Sequence, residues 1–334
     1  MSAAADHINF TIAGDREGVN MVARRLRLCL SIEAAILLFT SVLLVWATDW
    51  SPIAAAAVAV AAFFAVNSAP IIITYPIALH YRRRVTAVPR SGSLRIWRGM
   101  INEWLAFLAV FVLIQPFERW WMGSDAVGRV HDRRPALLLV HGYACNRGQW
   151  WWLRRRLRAQ GFAVTTINLE PPLADIDYFA GQLHARIEAL VAETGVDRVA
   201  LVAHSMGGLA SRAYLRRHGC GRVTTLITLA SPHHGTLFAR LIPGRNARQM
   251  EPDNDWIRQL GDQESFAVPV VSIWGAIDEF MVPQDSSRLA GARDTAFATL
   301  GHLSILFSPA VLQRLQAELE RSDSVNNVGH ATSA

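Results

Sequence analysis

Lysine is absent from this chain: all 33 basic residues are arginine. That excludes Schiff-base chemistry, attachment of pyridoxal phosphate and a Walker A loop, each of which needs a lysine amine. Charge of either sign is sparse, at 18% of residues against roughly 25% in ordinary soluble domains. Apolar residues make up 51%, which excludes a disordered or fibrous chain. Cysteine is scarce. Cys29, Cys145 and Cys220 are the only three, and without a CxxC or Cys/His spacing they form neither a disulfide framework nor a zinc site. No metal, nucleotide or haem motif appears, so no cofactor is expected.

The net charge of +6 is concentrated in one place. Residues 81–98 hold Arg82, Arg83, Arg84, Arg90, Arg95 and Arg98 and no acid, so the rest of the chain sums to about zero. Beside a long apolar run, such a cluster is an orientation signal for a membrane and not a nucleic-acid footprint. Residues 28–47 form an apolar stretch with a single charge, Glu33. Residues 53–79 form a longer uncharged one, and the TDWS linker between them makes a helical hairpin. Residues 101–117 are expected to form a third span, followed by Trp120 and Trp121 as an aromatic belt, although their shorter apolar centre also fits an interfacial or buried helix. Arg24, Arg25 and Arg27 before the first run place the N-terminus in the cytoplasm. With a third span the C-terminal domain is external; without one it is cytoplasmic. Glu33 costs about 2.5–3.5 kcal/mol within a span, and reads as a relay group or a helix-packing contact.

After about residue 130 short apolar runs alternate with helical stretches. The runs are 136–140, 162–168, 198–203, 223–230, 268–274 and 295–300, and amphipathic segments at 150–160 and 178–193 separate the early ones. Near-continuous apolar strands between helices predict an α/β fold with about six mostly parallel strands. The expected division is a cytoplasmic segment 1–27, a membrane region 28–117, a linker 118–134, an α/β domain 135–321 and a polar, disordered tail 322–334.

Ala203-His204-Ser205-Met206-Gly207-Gly208 lies between a strand and a helical stretch, the context of a nucleophile elbow. Small residues flank Ser205 where the backbone turns sharply, and the Met206 N–H at the helix start is one oxyanion donor. A serine needs a base and an orienting acid. Asp278 follows the fifth run and His302 the sixth, both where catalytic groups gather in a parallel sheet. Glu279 and Asp285 are rival acids. The loop His141-Gly142-Tyr143 supplies a second oxyanion donor, the Tyr143 N–H, with Gly142 allowing close approach. His141, Gly142, His204, His233 and His234 are candidate cleft residues. Cys145 is expected to be a packing residue. Trp150, Trp151, Trp152, Leu237 and Phe238 line an acyl pocket or pack helices, and residues 236–258 are a candidate lid.

The segments HGYACNRGQW, AHSMGG, LASPHHGT, WGAIDEFMVP and GHLSILFSP, in this order, resemble the α/β-hydrolase superfamily, and within it bacterial triacylglycerol lipases and esterases. The resemblance covers about residues 135–318 and leaves the N-terminal spans outside. It implies a minimal hydrolase, with Ser205 as nucleophile, Asp278 as acid, His302 as base and Tyr143 and Met206 as oxyanion donors. The resemblance is less specific for substrate; it is tethering by the N-terminal spans, in a membrane such as a bacterial inner membrane, that makes a lipid-like ester the expected substrate. An acyltransferase or thioesterase using the same triad is the alternative. A non-catalytic membrane-anchored binding protein, and a channel or transporter built on the spans, stand further off. The sequence is silent on oligomeric state.

Overall fold

A computed structural model describes residues 20–82, 91–130, 134–261 and 266–331, with side chains to Ser322. Arg83, Arg84 and Arg90 of the basic cluster and most of segment 1–27 lie outside the described residues. β1 (Ala136–Val140), β2 (Val164–Ile167), β3 (Val199–His204), β4 (Val223–Leu229), β5 (Val270–Gly275) and β6 (Arg293–Phe297) form one sheet in the order β2-β1-β3-β4-β5-β6. Every neighbouring pair is parallel. β1 and β3 are apolar at almost every position, and β4 is buried along its whole length despite three threonines, because both faces of these strands are covered. The sixth strand starts two residues earlier than its sequence run and is only half-buried, as an edge strand is.

Alternate strand residues feed two cores. Leu138, Val140, Leu201 and Ala203 face α6 (Ile176–Thr194) and α7 (Met206–His218). Leu137, Leu139, Val202 and Ile227 face α5 (Trp151–Ala159) and α10 (Pro309–Ala331). α10 runs on past Ser322 as helix through most of the segment expected to be a disordered tail.

The N-terminal helices are α1 (Met21–Ala47), α2 (Pro52–Arg82) and α3 (Ser93–Leu108); a wide turn over Ala109–Ile114 and a tight one over Gln115–Phe117 carry α3 into α4 (Glu118–Met122). Three segments, Met21–Ala47, Pro52–Arg82 and Ser93–Met122, are long and apolar enough to cross a bilayer. They are not a separate body. Ile71 and Tyr75 of α2 and Ala106, Phe107 and Val110 on the α3 segment belong to the same buried cluster as Leu137 and Ile227 of the sheet. Each large side chain so buried contributes about 1.5–3 kcal/mol, so α2 and α3 are fixed parts of the domain's outer layer. The division expected at residue 135 is therefore not a packing boundary. The linker is also tied down: Asp125 accepts the Thr166 N–H at 3.2 Å and pairs with Arg154 at 2.8 Å, which fastens the strap across β2.

Glu33 and Asn67 meet across the α1–α2 hairpin, where the Asn67 amide donates to both carboxylate oxygens at 3.0 Å. The acid is a packing contact between helices.

Candidate active site

Ser205 caps α7 at the end of β3 with φ 53° and ψ −128°, a left-handed backbone that a side-chain-bearing residue adopts only under strain. The strand's apolar residues fix one side of the turn and the packed α7 the other. Met206 is the first residue of α7, so its N–H is one of those a helix cannot satisfy internally. The loop after β1 presses against this elbow: a methyl on Gly142 would sit 2.7 Å from Ser205 Cβ and 3.2 Å from the His204 carbonyl. Only glycine lets the Tyr143 backbone come so close. The Tyr143 hydroxyl donates to the Pro243 carbonyl at 2.7 Å, tying the loop to the segment above it.

Asp278 and His302 stand on loops after β5 and β6 and are joined by a hydrogen bond of 2.9 Å between Asp278 Oδ2 and His302 Nδ1. The other Asp278 oxygen accepts the N–H groups of Phe280 and Met281 at 2.9 and 2.8 Å, so both oxygens are fixed and the carboxylate is 1% exposed. Burial alone would lower His302, but the Asp278 charge, their hydrogen bond and the more distant Glu103 charge outweigh it, and the net shift is upward. Of the rival acids, Asp285 lies at the surface in a groove with His234 and Arg288, while Glu279 is buried behind the histidine loop.

Three of the other candidate histidines, His141, His204 and His233, are buried and hydrogen-bonded. His204 Nε2 donates to the His302 carbonyl at 2.9 Å, and its ring centre is 4.6 Å from that of His302. Burial, followed by the His302 charge, holds it well below the ordinary imidazole value, so it stays neutral. His141 accepts the Leu169 N–H at Nε2 and therefore donates from Nδ1 to the Gly142 carbonyl, both at 2.9 Å; burial lowers it to about 4. His233 is buried against Thr228 and Arg212, and His234 is at the surface. Cys145 is buried, and burial pushes its thiol up to about 12, so it is no nucleophile.

The tryptophans pack. Trp150 meets the His204 ring edge-on at 6.3 Å, Trp151 meets Trp121 at 4.9 Å and Trp152 meets Phe307 at 6.4 Å. Phe238 reaches the site through Phe280, whose ring lies 5.4 Å from that of His302. Segment 236–258 is pinned at its base: Thr236 N–H bonds the Met250 carbonyl at 2.8 Å, and Asn246 donates to the Pro172 carbonyl at 2.9 Å.

Supports from outside the motifs were not visible as such in the sequence. Gln115 Oε1 accepts the Asn146 N–H at 2.6 Å while the Gln115 carbonyl takes the Asn146 amide at 2.9 Å, which anchors the oxyanion loop to the segment after α3. Glu103 holds the two residues after His302. The one available signal was a polar or acidic residue within an apolar helix.

A six-stranded parallel sheet with helices on both faces, a strained serine elbow after β3 and an Asp–His pair after β5 and β6 define the α/β-hydrolase fold. The mature form of Bacillus licheniformis lipase BlEst2 superposes with a TM-score of 0.50 at 18% identity, over 58% of this chain and 96% of that one. Residues 175–300 match the family described as PGAP1-like alpha/beta domain. Two curated relatives named triacylglycerol lipase, from Pseudarthrobacter phenanthrenivorans and Burkholderia plantarii, are each 33% identical over 118 residues. That stretch covers 33% of this chain and 36% and 32% of theirs, so the chain spans about a third of the length of the curated relatives it matches.

Proposed function

We propose that this chain is a membrane-anchored serine hydrolase that cleaves carboxylic esters of lipid-like substrates through an acyl-enzyme on Ser205. The observation that carries the reading is the buried Asp278–His302 hydrogen bond on loops beside a strained Ser205 elbow. Asp278 keeps the proton of His302 on Nδ1, leaving Nε2 free to accept the Ser205 proton as Oγ attacks the ester carbonyl. The N–H groups of Met206 and Tyr143 receive the negative charge that develops on the carbonyl oxygen. His302 then passes the proton to the leaving alcohol, and water repeats the sequence to free the acid. The names of the curated relatives and the exposed apolar helices support a lipid-like ester. An acyltransferase would differ only in the alcohol that takes the acyl group.

The way the helices meet the domain supports one orientation of the molecule. The distal half of the α1–α2 hairpin exposes Leu38, Phe39, Trp46 and Ile53, whereas its base docks on the domain. There the Met21 N–H bonds Glu170 at 2.9 Å, and Gln284 donates to the Ala78 carbonyl at 2.9 Å. The α3 segment lies across that base. Trp104 Nε1 donates to Ser68 of α2 at 2.6 Å, and Arg27 of α1 donates to the Pro116 carbonyl at 2.6 Å. One face of α3 rests on the domain and the other exposes Leu94, Trp97, Ile101 and Leu105. A helix laid this way is interfacial, and only the hairpin crosses the bilayer. The domain then sits on the side of Arg24, Arg25, Arg27, Arg95 and Arg98, which is the cytoplasmic side. Substrate arrives by lateral diffusion along the membrane surface.

The test is labelling of membranes with a fluorophosphonate probe. A band in wild type that disappears in Ser205→Ala is the expected result. A correctly inserted wild type that stays unlabelled, with and without detergent, overturns the reading.

A further inference from the structure

Glu103 lies on α3, some 200 residues in sequence from the histidine loop, yet its fully buried carboxylate is bound into that loop. Oε1 accepts the Leu303 N–H at 2.6 Å and Oε2 accepts the Ser304 N–H at 2.7 Å. These are the two residues that follow His302. On the other side of His302, Gly301 packs directly on the carboxylate, where a methyl group would collide with it. The Ser304 hydroxyl closes the loop by accepting the Gly301 N–H at 2.9 Å. The backbone around His302 is therefore wrapped on one side chain delivered by an interfacial helix.

Glu279 lies against the same carboxylate, equally buried. Its Oε2 faces the His302 N–H at 3.5 Å, its Oε1 is buried without a hydrogen-bond partner, and its carboxyl interacts with that of Glu103. Two carboxyl groups this close, away from water, hold one charge between them. Glu103 receives two N–H donors, which favour its anion. Burial raises both carboxyls, but the Ser304 and Leu303 donors hold Glu103 back, whereas the charges of Glu103 and Asp278 drive Glu279 well above the usual carboxylate range, so the shared proton rests on Glu279.

We propose that Glu103 is a positioning residue for His302: an anionic carboxylate that shapes the histidine loop and adds negative charge behind the ring, with Glu279 as its protonated partner. The groups facing this charge are Asp278 and Glu279 from the loop after β5, His302 from the loop after β6 and the Tyr75 phenol from α2, while His204 from β3 lies against the His302 ring. Asp278 fixes the ring directly, and Glu103 acts through the backbone and through its field. The inference rests on the hydrolase reading, and it makes α3 the link between the bilayer surface and the proton-accepting group.

The experiment compares full-length wild type, Glu103→Gln, Glu103→Asp and Glu279→Gln in detergent. It follows hydrolysis of a p-nitrophenyl ester against pH and the His302 ring by 15N-histidine NMR, with the signal assigned by its loss in His302→Gln. Glu103→Gln removes a charge that raises His302, so the acid limb of kcat and the ring titration both move to lower pH. At the same time the plateau kcat falls about 10- to 100-fold, with KM within about twofold. Glu103→Asp keeps the charge and loses the reach, so kcat falls and the limb stays. Glu279→Gln replaces one neutral group by another and leaves the limb where it was. A merely structural glutamate would lower the melting temperature and the amount of active protein without moving the limb, and that result overturns the proposal. So does a limb shift in Glu103→Asp, the deciding variant if Glu103→Gln does not fold. A wild type inactive on every ester whose His302 titration still responds to Glu103→Gln retains the positioning and rejects the hydrolase reading. Activity abolished by Ser205→Ala with a ring indifferent to Glu103 does the reverse.

Discussion

At the scale of single residues the site depends on which nitrogen of His302 carries the proton. Asp278 accepts from Nδ1, and its second oxygen is held by two backbone N–H groups, so the carboxylate can neither turn away nor take the proton easily. Asp278→Asn keeps the shape but can present its amide N–H to Nδ1, which favours the tautomer with the proton on Nε2, where Ser205 needs a base. A fall in kcat of about 10³- to 10⁴-fold is expected. The pH profile gives a second check. In the proposed mechanism His302 accepts the Ser205 proton only when neutral, and its affinity for a proton is raised in the folded protein, chiefly by Asp278 working against burial. Activity is therefore lost on the acid side as pH falls through a value above that of an ordinary histidine. Removal of the Asp278 charge shifts this limb to lower pH. A limb that stays in place in Asp278→Asn would assign it to another group.

At the scale of elements, the loops carrying Ser205, Tyr143, Asp278 and His302 were readable because each follows a strand and sits inside a contiguous motif. Turn chemistry and strand ends are local, and local patterns survive in sequence. Gln115 and Glu103 were not readable, because each acts on a partner distant in the chain, Asn146 and Leu303 respectively. Nothing near either residue records the contact. The same holds for the apolar helices: composition gives length and hydropathy, whereas the choice between crossing a bilayer and lying on a domain depends on which residues meet Phe107 and Val110. Gln115 tests the element-level coupling. Gln115→Ala leaves the Asn146 N–H buried without its acceptor, at a cost of about 1–3 kcal/mol. The expected result is a melting temperature lower by several degrees and a kcat reduced more than KM is raised, because the oxyanion loop moves while the acyl site is untouched. An unchanged melting temperature would mean that the loop holds its shape without α3.

At the scale of the whole molecule, the N-terminal helices and the hydrolase sheet share one core, and this constrains how the chain can sit in a membrane. The exposed part of α1, from Leu28 to Ala47, is about 30 Å long at 1.5 Å per residue, which matches a hydrocarbon core of about 30 Å. The base of the hairpin meets the domain through Met21 and Ala78, and there Arg27 of α1 reaches the segment after α3. Were α3 to cross, the Glu103, Phe107 and Gln115 contacts would have to break, leaving a buried carboxylate unpaired and the histidine loop unsupported. Two crossings preserve all of them. In a chain lacking Cys29, Cys145 and Cys220, a single cysteine at Asp49, in the hairpin loop, should react with an impermeant maleimide in intact cells, while one at Glu320 on α10 should react only after the membrane is opened. Labelling of both positions in intact cells would mean that α3 crosses and the domain is external. In that arrangement the Glu103 clamp could not form as described, so the topology and the support of His302 stand or fall together.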